Sequence, residues 1–350
     1  MENQLVDRYF RLAPVKRRLI AATFVTTLCC GLAYSELPHS AKADADGMTM
    51  AQPAPQMQKV LTALGSLGGK PIETLTPKEA RLQPTPADAV KVVLKQEGMS
   101  TAPQPVGSVA DMKIRGPEGL IPIRVYTPAG SGPFPVLVYF HGGGWVIAGI
   151  NTYDSSPRAL ADAAGYVVVS VAYRQAPENK FPAAADDAYA SMRWAMTNAA
   201  KINGKPSVIA VAGESAGGNL ATVVCMMARD KHQRMPIYQL LVYPVTNHAF
   251  NTASYEENAH AKPLNRAMMK WFWNNYLPSP TDGDNPYASP LRAKTLAGLP
   301  PATIIAAQID PLRTEGRQYA DRLRDAGVKV HYREFYGVTH EFFGMGAVVP

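Results

Sequence analysis

Beyond about residue 105 the chain is punctuated by short apolar runs separated by helical segments, and this alternation restricts the fold more than any other feature. The runs span 121–126, 135–140, 166–172, 208–213, 238–244, 303–310 and 328–335. Several are apolar on both faces, which suits strands covered by helices on either side. Strands taken in turn with helices predict an α/β protein with a mostly parallel central sheet and crossover helices. A chain of 350 residues, 47% of them hydrophobic, can bury one sizeable core of that kind. No internal repeat or low-complexity tract competes with this reading.

Two segments break the alternation. Residues 46–104 are rich in Pro, Gln, Ala and Met, with helical apolar spacing only in short pieces such as Met57, Val60, Leu61 and Leu64. They read as a linker followed by cap helices, ahead of a main domain over 105–350. The second segment, about 247–293, is polar and rich in Asn and Pro, yet holds the aromatic cluster Trp271, Phe272, Trp273 and Tyr276. An insertion of that length between strands is usually a functional cover, so these rings, with Trp145, are candidate substrate-binding residues.

The strongest local motif is Gly213-Glu214-Ser215-Ala216-Gly217, placed after the apolar run that ends at Ala212 and before a helical stretch. A serine held in a strained strand-to-helix turn needs glycine on both sides, and its hydroxyl then stands exposed at the start of a helix. His141-Gly142-Gly143-Gly144-Trp145 follows the run at 135–140. Consecutive glycines let bare N–H groups approach a reacting carbonyl, so Gly143 and Gly144, joined by Ala216, are the candidate oxyanion-hole donors. A phosphate loop would need Lys-Ser/Thr or the G-x-G-x-x-G spacing, and neither is present.

Ser215 as nucleophile requires an acid and a base later in the chain. Asp310 ends the run at 303–310, at the strand edge where sites of open α/β sheets form, and His340 lies in the loop after the last run. Taken singly, Asp310 could cap the helix that starts near Pro311 and His340 could be a surface residue. Their order and placement favour Ser215, Asp310 and His340 as the catalytic set. His141 reads as a hydrogen-bonding residue that shapes the glycine loop. No His/Cys/Asp group has the spacing of metal ligands, and neither metal nor cofactor is expected.

These motifs, with Tyr173-Arg174-Gln175-Ala176-Pro177-Glu178, Phe181-Pro182-Ala183-Ala184, Asp187 and Asp310-Pro311-Leu312-Arg313, resemble the bacterial hormone-sensitive-lipase-like esterases. The likeness spans roughly 105–345. It implies the α/β-hydrolase fold with about eight strands and a helical cap, and cofactor-free hydrolysis of short to medium acyl esters. The sequence departs from the family pattern at Glu214, where Asp is commonest, and at Glu341, where Gly usually follows the histidine. An amidase or deacetylase could use the same triad. A ligand-binding receptor on this fold would have discarded the histidine.

The net charge of +7 is not gathered into a basic run with interleaved aromatics, so nucleic acid is not an expected partner. A small-molecule ester is, and a homodimer is compatible with the sequence. At the N-terminus Lys16, Arg17 and Arg18 precede an apolar stretch over 19–33, followed by Ala41, Ala43 and Ala45. That pattern reads as a signal peptide over 1–45, too short for a permanent span, and implies an exported protein, periplasmic or secreted. Cleavage would remove Cys29 and Cys30 and leave Cys225 alone, so no internal disulfide can support the fold. Mass spectrometry of cell fractions should find a mature chain starting between about Ser35 and Gly47, a window set by where small-residue cleavage sites lie. Full-length protein confined to the cytosol would refute export.

Overall fold

A computed structural model describes residues 50–350, so the segment read as a signal peptide lies outside the described residues. Eight strands run in chain order as β1 (Ser108–Gly116), β2 (Gly119–Thr127), β3 (Phe134–Phe140), β4 (Val167–Val171), β5 (Gly204–Glu214), β6 (Gln239–Val242), β7 (Ala302–Ile309) and β8 (Val330–Thr339). They form one sheet in the order β1-β2-β4-β3-β5-β6-β7-β8. The pairs β1–β2 and β2–β4 are antiparallel and the remaining five are parallel.

Among the described residues three α-helices precede the sheet: α1 (Pro55–Ser66), α2 (Pro77–Ala80) and α3 (Pro86–Gln96). The crossovers contain α4 (Ser155–Ala164), α5 (Ala183–Asn198), α6 (Ala216–Asp230) and α9 (Arg313–Asp325). The long β6–β7 connection holds α7 (Ala253–Glu257) and α8 (Arg266–Tyr276). The starts of α2 and α3 are written locally. Thr76-Pro77 and Thr85-Pro86 place proline where no N–H is needed, and each threonine forms a capping box with Glu79 or Asp88.

Period-2 alternation divides the inner strands between two cores. Val136, Val138 and Phe140 of β3 face a cluster completed by α5, α6 and α9, whereas Leu137 and Tyr139 face one completed by α1, α3 and α4. Burial on both faces is why β3 and β4 are apolar except at Ser170. Helix α6 is buried on nearly every side from Ala216 to Ala228, as its small and apolar composition permits.

The apolar runs did not include β1. Of its nine residues only Ile114 is buried, because it is an edge strand whose other side chains meet solvent. The Tyr173 to Asp187 stretch is a structural clasp: the Arg174 backbone N–H, Nε and Nη2 all donate to the buried Asp187 carboxylate. The N-terminal segment is fastened to the sheet domain by Arg81, which donates to the carbonyls of Val146 and Ala176 and pairs with Glu178. Trp271 Nε1 donates to Leu75 O at 3.0 Å, joining the two parts that roof the sheet edge.

Candidate active site

Four parallel strands end at one edge of the sheet, and the residue immediately after each is a candidate. His141 follows β3, Ser215 follows β5, Asp310 follows β7 and His340 follows β8. Parallel pairing thus gathers positions up to 199 residues apart. Ser215 has φ 57° and ψ −118°, a conformation L-residues avoid and one that costs about 1–3 kcal/mol. It is over-determined by its surroundings: its N–H donates to Val242 O at 2.9 Å, and its carbonyl accepts from Asn219 and Val245. A Cβ on Gly213 would lie 2.1 Å from Gly217 O, and one on Gly217 would lie 1.9 Å from Phe140 O. Both glycines are therefore obligatory by close approach.

His340 Nε2 lies 3.0 Å from Ser215 Oγ and its Nδ1 lies 2.7 Å from Asp310 Oδ2. A carboxylate can only accept, so Nδ1 carries the proton and Nε2 is left free to accept the serine O–H. The second oxygen of Asp310 accepts the Leu312 N–H at 2.8 Å, which fixes the carboxylate. Burial pulls the imidazole pKa down, but attraction and hydrogen bonding to Asp310, helped by Glu341 and Glu214, overcome it and raise the group above its usual 6.5.

Gly143 and Gly144 have φ 95° and 57°, and no bond from either N–H to another group occurs among the described residues. The Gly143 carbonyl accepts from Val146 and Ile147, which turns the loop, and both glycines line the cavity. Ala216 opens α6, where the first N–H groups have no partner within the helix. His141 is buried beneath this loop, stacked on Tyr173 with Nδ1 2.7 Å from Gly142 O, and burial pushes its pKa down to about 4. It stays neutral and holds the loop.

Five further carboxyl and phenol groups complete the site, of which the motifs marked only Glu214 and Glu341. Glu214 is fully buried and accepts from the hydroxyls of Tyr139 and Tyr243; burial, then repulsion from Glu341, pushes its pKa up to about 7. The Tyr243 ring packs on His340 with centroids 4.4 Å apart. Glu341 sits at φ 72°, accepts from Tyr153 Oη at 2.6 and 2.8 Å, and places Oε1 3.7 Å from His340 Nε2. The one available sequence signal was the departure at Glu341 from the pattern of the family the sequence resembles, in which glycine usually follows the histidine.

The cavity above Ser215 has a volume of about 450 Å³ and is lined by Leu61, Leu64, Ile147, Val245, Met268 and Phe272 among others. Here the structure corrects the expectation for the aromatic cluster. Of the five proposed rings only Phe272 lines the cavity. Trp145 is fully buried and stacks on Tyr276 with centroids 4.1 Å apart, Trp273 packs on both, and Trp271 joins α8 to the N-terminal segment. A helix presents one face at a time, and α8 spends the Trp273 and Tyr276 face on the core. Among the described residues no group of three or more His, Cys, Asp or Glu is placed to hold a metal ion, and no helix is long and apolar enough to cross a membrane.

The fold and the strand-edge constellation define an α/β hydrolase with a serine at its nucleophile elbow. Comparison with known proteins agrees: the family described as alpha/beta hydrolase fold matches residues 137–344. The chain belongs to that family, within its hormone-sensitive-lipase-like esterases. It is 42% identical over 249 residues to Carboxylic ester hydrolase LipN of Mycobacterium tuberculosis, covering 69% of this chain and 66% of that protein, just under two thirds of its length. It is 40% identical to Carboxylesterase NlhH of the same species over 76% of this chain and 86% of the relative. Among solved structures, a thermostable esterase from Pseudomonas putida superposes with a TM-score of 0.76 at 37% identity, covering 85% of this chain and 91% of that one.

Removing the ring of Phe272 enlarges the cavity, so Phe272→Ala should move the preferred acyl length up by a few carbons, each methylene being worth about 0.8 kcal/mol. Trp271→Ala, Trp273→Ala and Tyr276→Ala should lower thermal stability and leave the length profile unchanged. Measuring kcat/KM over an acyl series for the four variants tests this, and an unmoved profile for Phe272→Ala would assign the wall elsewhere.

Proposed function

We propose that the protein is a serine carboxylesterase that cleaves short to medium acyl esters through an acyl-enzyme on Ser215. The observation that carries this reading is the unbroken hydrogen-bond chain from Ser215 Oγ through His340 to Asp310, set below the free amides of the glycine loop. The ester carbonyl would lie over Ser215 with its oxygen toward Gly143, Gly144 and Ala216. As Oγ attacks, His340 Nε2 takes the serine proton, and the amides stabilise the oxyanion. The same proton passes to the departing alcohol, whose loss leaves the acyl-enzyme. Water then attacks with His340 as base, and the acid leaves as Oγ regains its proton.

The relatives named as carboxylesterases, and one named Ethyl acetate hydrolase from Pseudomonas putida at 32% identity, support an ester over an amide substrate. A cavity of about 450 Å³ suits a short or medium chain. Export of this activity from the cytoplasm is a further part of the proposal and rests on the basic-then-apolar N-terminus.

Ser215→Ala should fold normally and lose activity on p-nitrophenyl esters by roughly 10⁴-fold or more. Near-normal turnover in a folded variant would exclude Ser215 as nucleophile, and faster cleavage of the matching anilide would favour an amidase. The base must be neutral to act, and its pKa is raised in the folded protein. The acid limb of kcat/KM should therefore have its midpoint above pH 6.5 rather than below it.

A further inference from the structure

We propose that Glu341 positions the water that hydrolyses the acyl-enzyme. The inference rests on the acyl-enzyme reading above and concerns only its second half. Glu341 Oε1 and His340 Nε2 stand 3.7 Å apart on the wall of the cavity that also contains Ser215. Two acceptors at that separation are spanned by one water donating an ordinary hydrogen bond of roughly 2.8 Å to each. The carboxylate is not free to swing away. Tyr153 donates to both of its oxygens, and the backbone beneath it is fixed at φ 72° by the turn that closes the histidine loop.

The asymmetry between the two half-reactions follows from counting O–H groups. In acylation the group beside Nε2 is an alcohol oxygen that receives one proton and has none to offer Glu341. In deacylation the group is water, with two. One O–H points at Nε2 and is transferred as the oxygen bonds to the acyl carbon. The other donates to Glu341 and stays on the oxygen, becoming the hydroxyl of the acid. The acyl carbon to Oγ bond then breaks and Oγ takes the proton from His340. Glu341 gains and loses nothing; it orients a small nucleophile that otherwise tumbles.

The conformation of the chain supports a functional cause for this side chain. A residue at φ 72° is most easily glycine, yet a glutamate is held there in an αL turn, its carboxylate directed at the reacting atoms. Glu341→Gly removes the carboxylate and relieves the backbone, so it should fold at least as well as the parent. Glu341→Gln keeps an acceptor oxygen at the same place.

The test is the partition of one acyl-enzyme between water and methanol, using p-nitrophenyl acetate at a pH where His340 is fully neutral. Methanol has one O–H and needs no second acceptor. Glu341→Gly should lose hydrolysis on the order of 10- to 100-fold, the usual worth of a hydrogen bond to a charged group, and keep methanolysis. Its ratio of methyl acetate to acetate should rise accordingly, and kcat/KM for p-nitrophenol release should fall far less than hydrolysis of the acyl-enzyme does. Glu341→Gln should restore much of the parent ratio. An unchanged ratio in Glu341→Gly overturns the proposal, as does a parallel fall of kcat/KM and both products, which would mark a structural role. Methyl acetate formed by none of the proteins would overturn the acyl-enzyme reading itself, and the proposal with it.

Discussion

The strained backbone of Ser215 is the constraint around which the rest is arranged. A non-glycine residue at φ 57° does not hold itself there. It is held because β5 runs into α6 without a spacer, while the Val242 carbonyl from the neighbouring strand accepts the serine N–H. The two flanking glycines follow from the same requirement. Their missing side chains would overlap the carbonyls of Gly217 and Phe140, so the elbow closes only when both positions lack a Cβ. Parallel pairing of β3, β5, β6, β7 and β8 then supplies the other groups at the same edge without any further device.

Burial at that edge makes the electrostatics strong and forces each carboxyl group to find its own donors. Asp310 is satisfied by Leu312 and His340, Glu214 by two tyrosine hydroxyls, and Glu341 by Tyr153. Their combined field favours a positive imidazole, the species that the proposed role of His340 as a base would form. Glu315 lies a few residues away. Burial pushes its pKa up to about 8 against the hydrogen bonds it accepts from Thr246 and Asn247, and through those bonds it holds the loop after β6.

The central sheet and the hydrogen-bonded serine, histidine and aspartate were legible because each is governed by local rules. Apolar runs mark doubly covered strands, and glycine spacing marks an elbow. A residue directly after a parallel strand must stand at the sheet edge. The edge strand β1 was illegible for the converse reason, since a strand with only Ile114 buried carries no apolar pattern. The roles of Tyr153, Tyr243 and Glu214 were hidden because they depend on which side chains meet across 29 to 188 residues of sequence. For α8 the composition was informative and the orientation was not. Four aromatic residues on one helix can be read as a pocket or as a core, and only the packing of Trp145 against Tyr276 decides between them.

That packing also explains why a single ring is left to shape the cavity. Gly144 approaches Phe272 so closely that a Cβ on the glycine would lie 2.2 Å from the ring. The bare backbone that presents the loop amides is therefore the same surface against which the cavity wall rests. Trp273 and Tyr276, one and four residues further along α8, anchor the helix in the core and fix how far the Phe272 ring can retreat. Cavity size and the geometry of the glycine loop thus meet at one contact. Enlarging the wall by substitution at Phe272 leaves the loop its own turn hydrogen bonds from Val146 and Ile147, whereas adding bulk at Gly144 would displace both at once. Substitution at position 272 can therefore reshape the cavity while the glycine loop stays fixed, and substitution at Gly144 cannot.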